Sequence, residues 1–275
     1  EDLHLEWLPS NRQLLIVQPT SAVVLQTTSP FDTVSFTSTP ETLWHVVSGT
    51  EILSSTGTTI SKHNPITGGV ERVYTSEAEI ISMQESQGKV FVIQKGESQA
   101  TISVIDYKTD ESVVINTLPL SVAYELLEVT PSHITIANHN LQKIYLLSLP
   151  LQGQSNPLTQ EIITLDANHA LFNEDRSQLV LYSDFELKLF NIEDSTLKLL
   201  NRFSTRITDV AWYSDQKHII ISHGEKLVVA DLSTNAETSQ SIALLHDVTL
   251  SDFSLRTEEH ILYATPDGLY TLRIK

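Results

Sequence analysis

Short apolar runs return about every 40 residues along this chain, each preceded by one large apolar side chain. The unit is clearest at Arg206–Ala243, RITDVAWYSDQKHIIISHGEKLVVADLSTNAETSQSIA. It reads as four β-like runs: Thr208–Trp212, His218–Ser222, Lys226–Asp231 and Thr238–Ala243. Turn residues split them at Ser214-Asp215-Gln216, His223-Gly224-Glu225 and Thr234-Asn235-Ala236. Trp212 stands seven positions before Ile219, and the same spacing joins Trp7 to Leu14, Met83 to Val90, Leu127 to Ile134 and Phe172 to Leu179. Trp44 and Phe253 fit with one extra residue, before Ile52 and Ile261. This period is the one expected of four-stranded blades.

A small antiparallel sheet with two apolar faces cannot bury both by itself. Stacking against neighbours on either side buries them and leaves short outer edges. The second runs, such as Leu14–Val17 and Ile219–Ile221, are continuously apolar, as strands covered on both faces should be. The fourth runs, such as Thr238–Ser241, are more polar, which suits an edge. The expected fold is therefore all-β: a seven-bladed β-propeller of four-stranded antiparallel blades, with three strands in the last. It is expected to form one domain over residues 1–275, with blades at 1–40, 41–76, 77–119, 120–166, 167–204, 205–245 and 246–275. Ser121–Val129 has a helix-like composition, but its register with the other units makes it a strand. The last unit offers Thr249–Phe253, His260–Ala264 and Gly268–Arg273 only, so a fourth strand there has to come from upstream of Glu1 or be missing.

The net charge is −17, from 17 Lys and Arg against 34 Asp and Glu, with no polybasic run. That argues against nucleic acid or an anionic membrane as partner, since both require clustered cations. With no cysteine, disulfides, thiolate nucleophiles and zinc–cysteine sites are excluded. Apolar runs such as Gln178–Tyr182 are far too short to span a bilayer. The chain starts at Glu1 without a secretory signal, which suggests a piece of a longer protein whose anchor, if any, lies upstream.

The segments WYSDQKHIIISHGEKLVVADL and FNEDRSQLVLYSDFELKLFNIED resemble the WD40-like repeats of TolB-type propellers. In both, an aromatic, a short Asp-bearing turn, an apolar strand, a polar turn and a second strand follow in order. The turn departs from the family's Ser/Pro-Asp-Gly form at Tyr213-Ser214-Asp215-Gln216 and at Leu8-Pro9-Ser10-Asn11, and Gly-His and Trp-Asp dipeptides are missing. The Ser/Thr/Gln-rich style is also similar to bacterial envelope proteins in which a propeller follows PEGA-type domains. The resemblance implies an accessory binding role with a protein partner, in the cell envelope or on the extracellular face, and no catalysis.

The residues themselves carry little chemistry. Gly-x-Ser-x-Gly, His-Glu-x-x-His, a phosphate-binding glycine loop and EF-hand spacing are all missing. No catalytic residue, cofactor or metal is therefore assigned. In a propeller, the loops joining second to third strands share one face. Under the register above they carry His139, Asp184, His223 and Asp267, with His169 and His246 in nearby connections. Imidazole and carboxylate together form a borderline metal set or a pH-sensitive binding rim. Equally, they are ordinary polar turn residues. Trp7, Trp44 and Trp212 are expected in the core, although stacking platforms for sugar are the alternative. The polar insert Pro150–Pro157 is a candidate interface. The leading functional expectation is a non-catalytic scaffold or protein-interaction module. A glycan- or ligand-binding propeller and a carbohydrate-active enzyme with an unseen carboxylate pair are the alternatives.

Overall fold

The computed structural model describes residues 4–9, 12–27, 32–149, 162–232, 241–246, 252–257 and 260–273. The 150–157 insert, the 234–236 turn and Ser10-Asn11 lie outside the described residues. Every regular element described is a β-strand, and no helix is long and apolar enough to cross a membrane.

The strands form seven sheets, each a meander of consecutive strands. The first sheet holds β1 (His4–Trp7), β2 (Gln13–Gln18), β3 (Ser21–Gln26) and β4 (Thr33–Thr37), and the second β5 (Leu43–Ser48), β6 (Glu51–Thr56), β7 (Thr59–His63) and β8 (Val70–Thr75). The third holds β9 (Glu79–Ser86), β10 (Lys89–Lys95), β11 (Gln99–Asp106) and β12 (Glu111–Pro119). The fourth holds β13 (Tyr124–Val129), β14 (His133–Asn138), β15 (Lys143–Ser148) and β16 (Ile162–Asp166). The fifth holds β17 (His169–Phe172), β18 (Gln178–Tyr182), β19 (Glu186–Asn191) and β20 (Thr196–Arg202). The sixth holds β21 (Ile207–Trp212), β22 (His218–His223), β23 (Lys226–Asp231) and β24 (Ser241–His246). The seventh has three strands among the described residues: β25 (Asp252–Thr257), β26 (His260–Thr265) and β27 (Gly268–Arg273). Two compact units emerge, Glu1–Leu141 with Tyr145–Thr164, and Gln142–Ile144 with Leu165–Lys275.

Two kinds of first hairpin explain why the anchor spacing wavers. Trp7 faces Leu14, Phe172 faces Leu179 and Trp212 faces Ile219, so in these sheets the seven-residue spacing is the cross-strand register itself. The turns there are wide. Asn173 N–H donates to Gln178 O at 3.0 Å and Tyr213 N–H to His218 O at 2.9 Å. The carboxylate of Asp215 fills its turn, accepting the Lys217 and His218 amides at 2.9 and 3.0 Å. Asp175 does the same for Ser177, at 2.9 Å. Arg176 and Gln216 sit at φ 60° and 58°, where the family pattern places glycine. The second and third sheets use tight turns instead, such as Gln87-Gly88 with φ of 56° and 76°, which suits a twisted hairpin. Their strands run further, so Trp44 faces Ser54 and Met83 faces Val92.

Apolar clusters lie between successive sheets. Leu15, Val24 and Phe36 of the first sheet pack with Ile52 of the second. Leu53 and Ile60 of the second join Met83, Val90 and Ile105 of the third. Ile93 and Ile102 of the third join Ile134 and Leu147 of the fourth. Within the second unit, Val180 and Leu189 of the fifth pack with Ile219 and Val228 of the sixth, and Ile220 and Leu227 with Phe253 and Ile261 of the seventh. Within each unit, successive sheets thus hide apolar side chains on one another, which is what the repeat demanded.

Polar groups buried at these seams are mostly paired. His63 is 5% exposed, and its Nε2 lies 2.7 Å from Ser54 Oγ. The Phe36 and Trp44 rings flank it, centroids 4.7 and 4.9 Å away, and Trp44 Nε1 donates to Ser38 Oγ. Trp212 reaches back from the sixth sheet to donate to Leu171 O of the fifth at 3.0 Å. Trp44 and Trp212, partly buried, pack against the core clusters. Trp7 does not: it is 54% exposed on β1. Two further expectations need correction. His246 is the last residue of β24, opposite Lys226, and not part of a connection. The first strand of the seventh sheet, expected to end at Phe253, runs on to Thr257, while residues 249–251 lie outside the described residues.

Candidate functional site

The connection from β20 to β21, residues 203–206, ties together two of the rim residues picked from sequence. Its backbone is clamped on both sides. Phe203 N–H donates to Phe185 O at 2.9 Å, Ile207 N–H to Asp184 O at 2.6 Å, and Gly224 N–H to Arg206 O at 3.1 Å. Asp184, in the β18–β19 turn, also accepts from Arg206 Nε at 3.1 Å. His223, the last residue of β22, shares a 2.8 Å hydrogen bond between its Nδ1 and Thr205 Oγ1. The Phe203 ring lies 4.5 Å from the imidazole, centre to centre. Burial lowers the His223 pKa first, and the charge of Lys226 lowers it further. Neutral imidazole is therefore favoured here.

Beside this connection opens a cavity of about 340 Å³. Arg202, Lys226 and His223 line it together with Asn201 and Ser204, and Phe203, Val228 and Ala243 supply an apolar wall.

Gly224 makes the close approach possible. It sits at φ +55°, and a Cβ there would meet Thr205 Oγ1 at 3.0 Å and Thr205 Cβ at 3.1 Å. Gly224→Ala is expected to cost about 1–2 kcal/mol, from left-handed backbone strain and the displaced Thr205. Thermal denaturation checks this, and an unchanged melting temperature would count against it.

The other rim residues have different partners. His139, in the turn after β14, lies 2.7 Å from Glu125 through its Nε2. Asp267, in the β26–β27 turn, donates its N–H to Thr265 Oγ1 at 3.2 Å. His169 stacks on Tyr182, centroids 4.6 Å apart and 17° from parallel. Burial, then the Asp209 charge, raises the Tyr182 pKa, so this phenol stays protonated. Among the described residues no group of three or more His, Asp or Glu comes together in a way that could hold a metal ion. The arrangement can recognise charge and hydrogen bonds. Sequence reasoning missed Arg202, Thr205, Arg206 and Lys226. The signal was there: Arg-Phe-Ser-Thr-Arg, residues 202–206, sets two arginines four apart in an otherwise acidic chain.

No protein-family model matches the chain, and no curated protein does. Solved structures do match it. Hsv2 of Kluyveromyces lactis aligns over 100% of this chain and 98% of its own, at 13% identity and a TM-score of 0.61. The Pan2 WD40 domain of Neurospora crassa aligns over 97% of this chain and 87% of its own, at 15% identity and 0.58. A Bacteroides fragilis protein provisionally named a 6-phosphogluconolactonase aligns over 98% and 93%, at 10% identity and 0.54. Names this diverse on one fold carry no activity across, because function resides in sites and not in the scaffold. What they share with this chain is architecture: it has the fold of a seven-bladed β-propeller, built from four-stranded antiparallel blades, with three strands described in the last.

Proposed function

We propose that this propeller is a non-catalytic protein-interaction or scaffold module. The observation that carries the reading is apolar exposure on edge strands. Leu197 and Leu199, two apart on β20 and so on one face, are 48% and 38% exposed. Val113 and Val114 on β12 and Leu269 and Tyr270 on β27 are exposed as well. Leaving such side chains in water forgoes roughly 25 cal/mol per Å² of burial, which a partner surface would recover. The WD40-type architecture supports the same reading.

The test uses the whole propeller as bait in extracts of its source cells, wild type beside Leu197→Ser/Leu199→Ser. A partner recovered in constant ratio by the wild type should be lost by the variant, while the variant's melting temperature stays within a few degrees. Recovery of the same partner by both would overturn the role given to β20. A ligand-binding role around Asp184 and His223 is the second reading, favoured by the Asp184–Arg206 and Thr205–His223 contacts. An envelope or extracellular location rests on the Ser/Thr/Gln-rich, cysteine-free composition, and cell fractionation tests it.

A further inference from the structure

The cavity beside residues 203–206 is chemically unlike the rest of the molecule. The chain carries twice as many acidic as basic residues, 34 against 17, yet among the described residues no carboxylate lines this cavity, while an arginine, a lysine and an imidazole do. One of these cations is uncommitted: Lys226 has no anionic partner among the described residues. The other is held in place. Arg202 Nε donates to Glu186 Oε1 at 2.9 Å, and Lys188 sits 2.9 Å from the other oxygen of that carboxylate. Glu186 thereby fixes the guanidinium at the cavity's edge without lining the cavity itself. Ser204 and Asn201 add neutral hydrogen-bonding groups.

The rest of the lining is apolar, supplied by Phe203, Val228 and Ala243. The volume, about 340 Å³, lies at the small end of the range for small-molecule sites. Cationic side chains together with aromatic and aliphatic ones suit a ligand that carries both a charged and an apolar group. The connection beside it is held by the backbone hydrogen bonds from Phe203 to Phe185 and from Ile207 to Asp184.

We propose that this cavity binds a small organic anion, a phosphomonoester or carboxylate borne on an apolar group, with Lys226 as its principal cation and Arg202 beside it. Lys226 meets the anion and Arg202 closes on it from the rim. Phe203 and Val228 cover the apolar end. This site goes beyond the scaffold reading and does not depend on it, since the exposed leucines Leu197 and Leu199 take no part in it.

The experiment titrates phenyl phosphate, benzoate, inorganic phosphate and neutral benzyl alcohol into the whole propeller. Ionic strength is held constant with chloride, so that general screening is the same in every arm. Binding is read by calorimetry and by amide shifts of residues 201–204 and 223–228. Phenyl phosphate or benzoate should saturate one site and shift those amides, while benzyl alcohol should not. Lys226→Gln, on an exposed strand end, should weaken binding roughly tenfold or more, the loss of one charged hydrogen bond. Three results would each overturn the proposal: no saturable organic anion, unchanged affinity in the variant, or inorganic phosphate binding as tightly as phenyl phosphate. Binding of a phosphopeptide alone, with every small anion silent, would also overturn it and point to a protein ligand.

Discussion

Phe190→Ala is expected to destabilise the propeller by about 3–5 kcal/mol, lowering the melting temperature by roughly 10 °C. Phe190 lies on β19, 1% exposed, opposite Leu179 on one side and Leu197 on the other. Removing its ring takes away a large buried apolar surface, and the close-packed sheet cannot collapse to fill the space. Phe185, five residues earlier in the preceding turn, is 50% exposed. Its alanine variant should change stability by less than about 0.5 kcal/mol. The two variants together separate burial from residue type, and similar losses in both would contradict the burial of Phe190.

The second large effect is expected at His63. Replacing it with alanine should cost about 3 kcal/mol, because the imidazole fills space between Phe36 and Trp44 and because buried Ser54 Oγ loses its partner. The same residue predicts a pH dependence. Burial lowers the His63 pKa below its ordinary value of 6.5. The folded chain therefore binds fewer protons than the unfolded chain just below pH 6.5. Stability is full above that pH and declines as pH falls through 6.5 toward the folded-state value. His45 and His133, also lowered by burial, act in the same direction. Denaturant titrations between pH 7.5 and 5 should show stability falling with acid, with a shallower slope in His63→Ala. A flat or rising profile would contradict the buried neutral imidazole.

Much of the architecture was legible because one pattern recurs. An anchor, a turn and an apolar run place the second strand of each sheet closely, as at Gln13–Gln18 and His218–His223. What misled was the assumption of one hairpin geometry. A tight turn such as Gln87-Gly88 extends the pairing, so Met83 meets Val92 and not Val90. Trp7 shows a second limit. It has the anchor position, but periodicity reports which face a residue takes and not whether that face is covered. The site was harder to see. His139, Asp184, His223 and Asp267 were chosen because they share a loop class. Only Asp184 and His223 turn out to meet a common segment, through Arg206 and Thr205. Lys226 and Arg202 lie at strand ends, where spacing along the chain says nothing of convergence across two sheets.

That the apolar clusters sit between consecutive sheets has a consequence for biosynthesis. Each sheet leaves the ribosome with one sticky side bare until the next is made. At about 5–20 residues per second, a unit of about 40 residues takes roughly 2–8 s to appear. Nascent chains stalled between sheets should therefore be strong chaperone clients, whereas chains stalled just after a completed pair should be weaker ones.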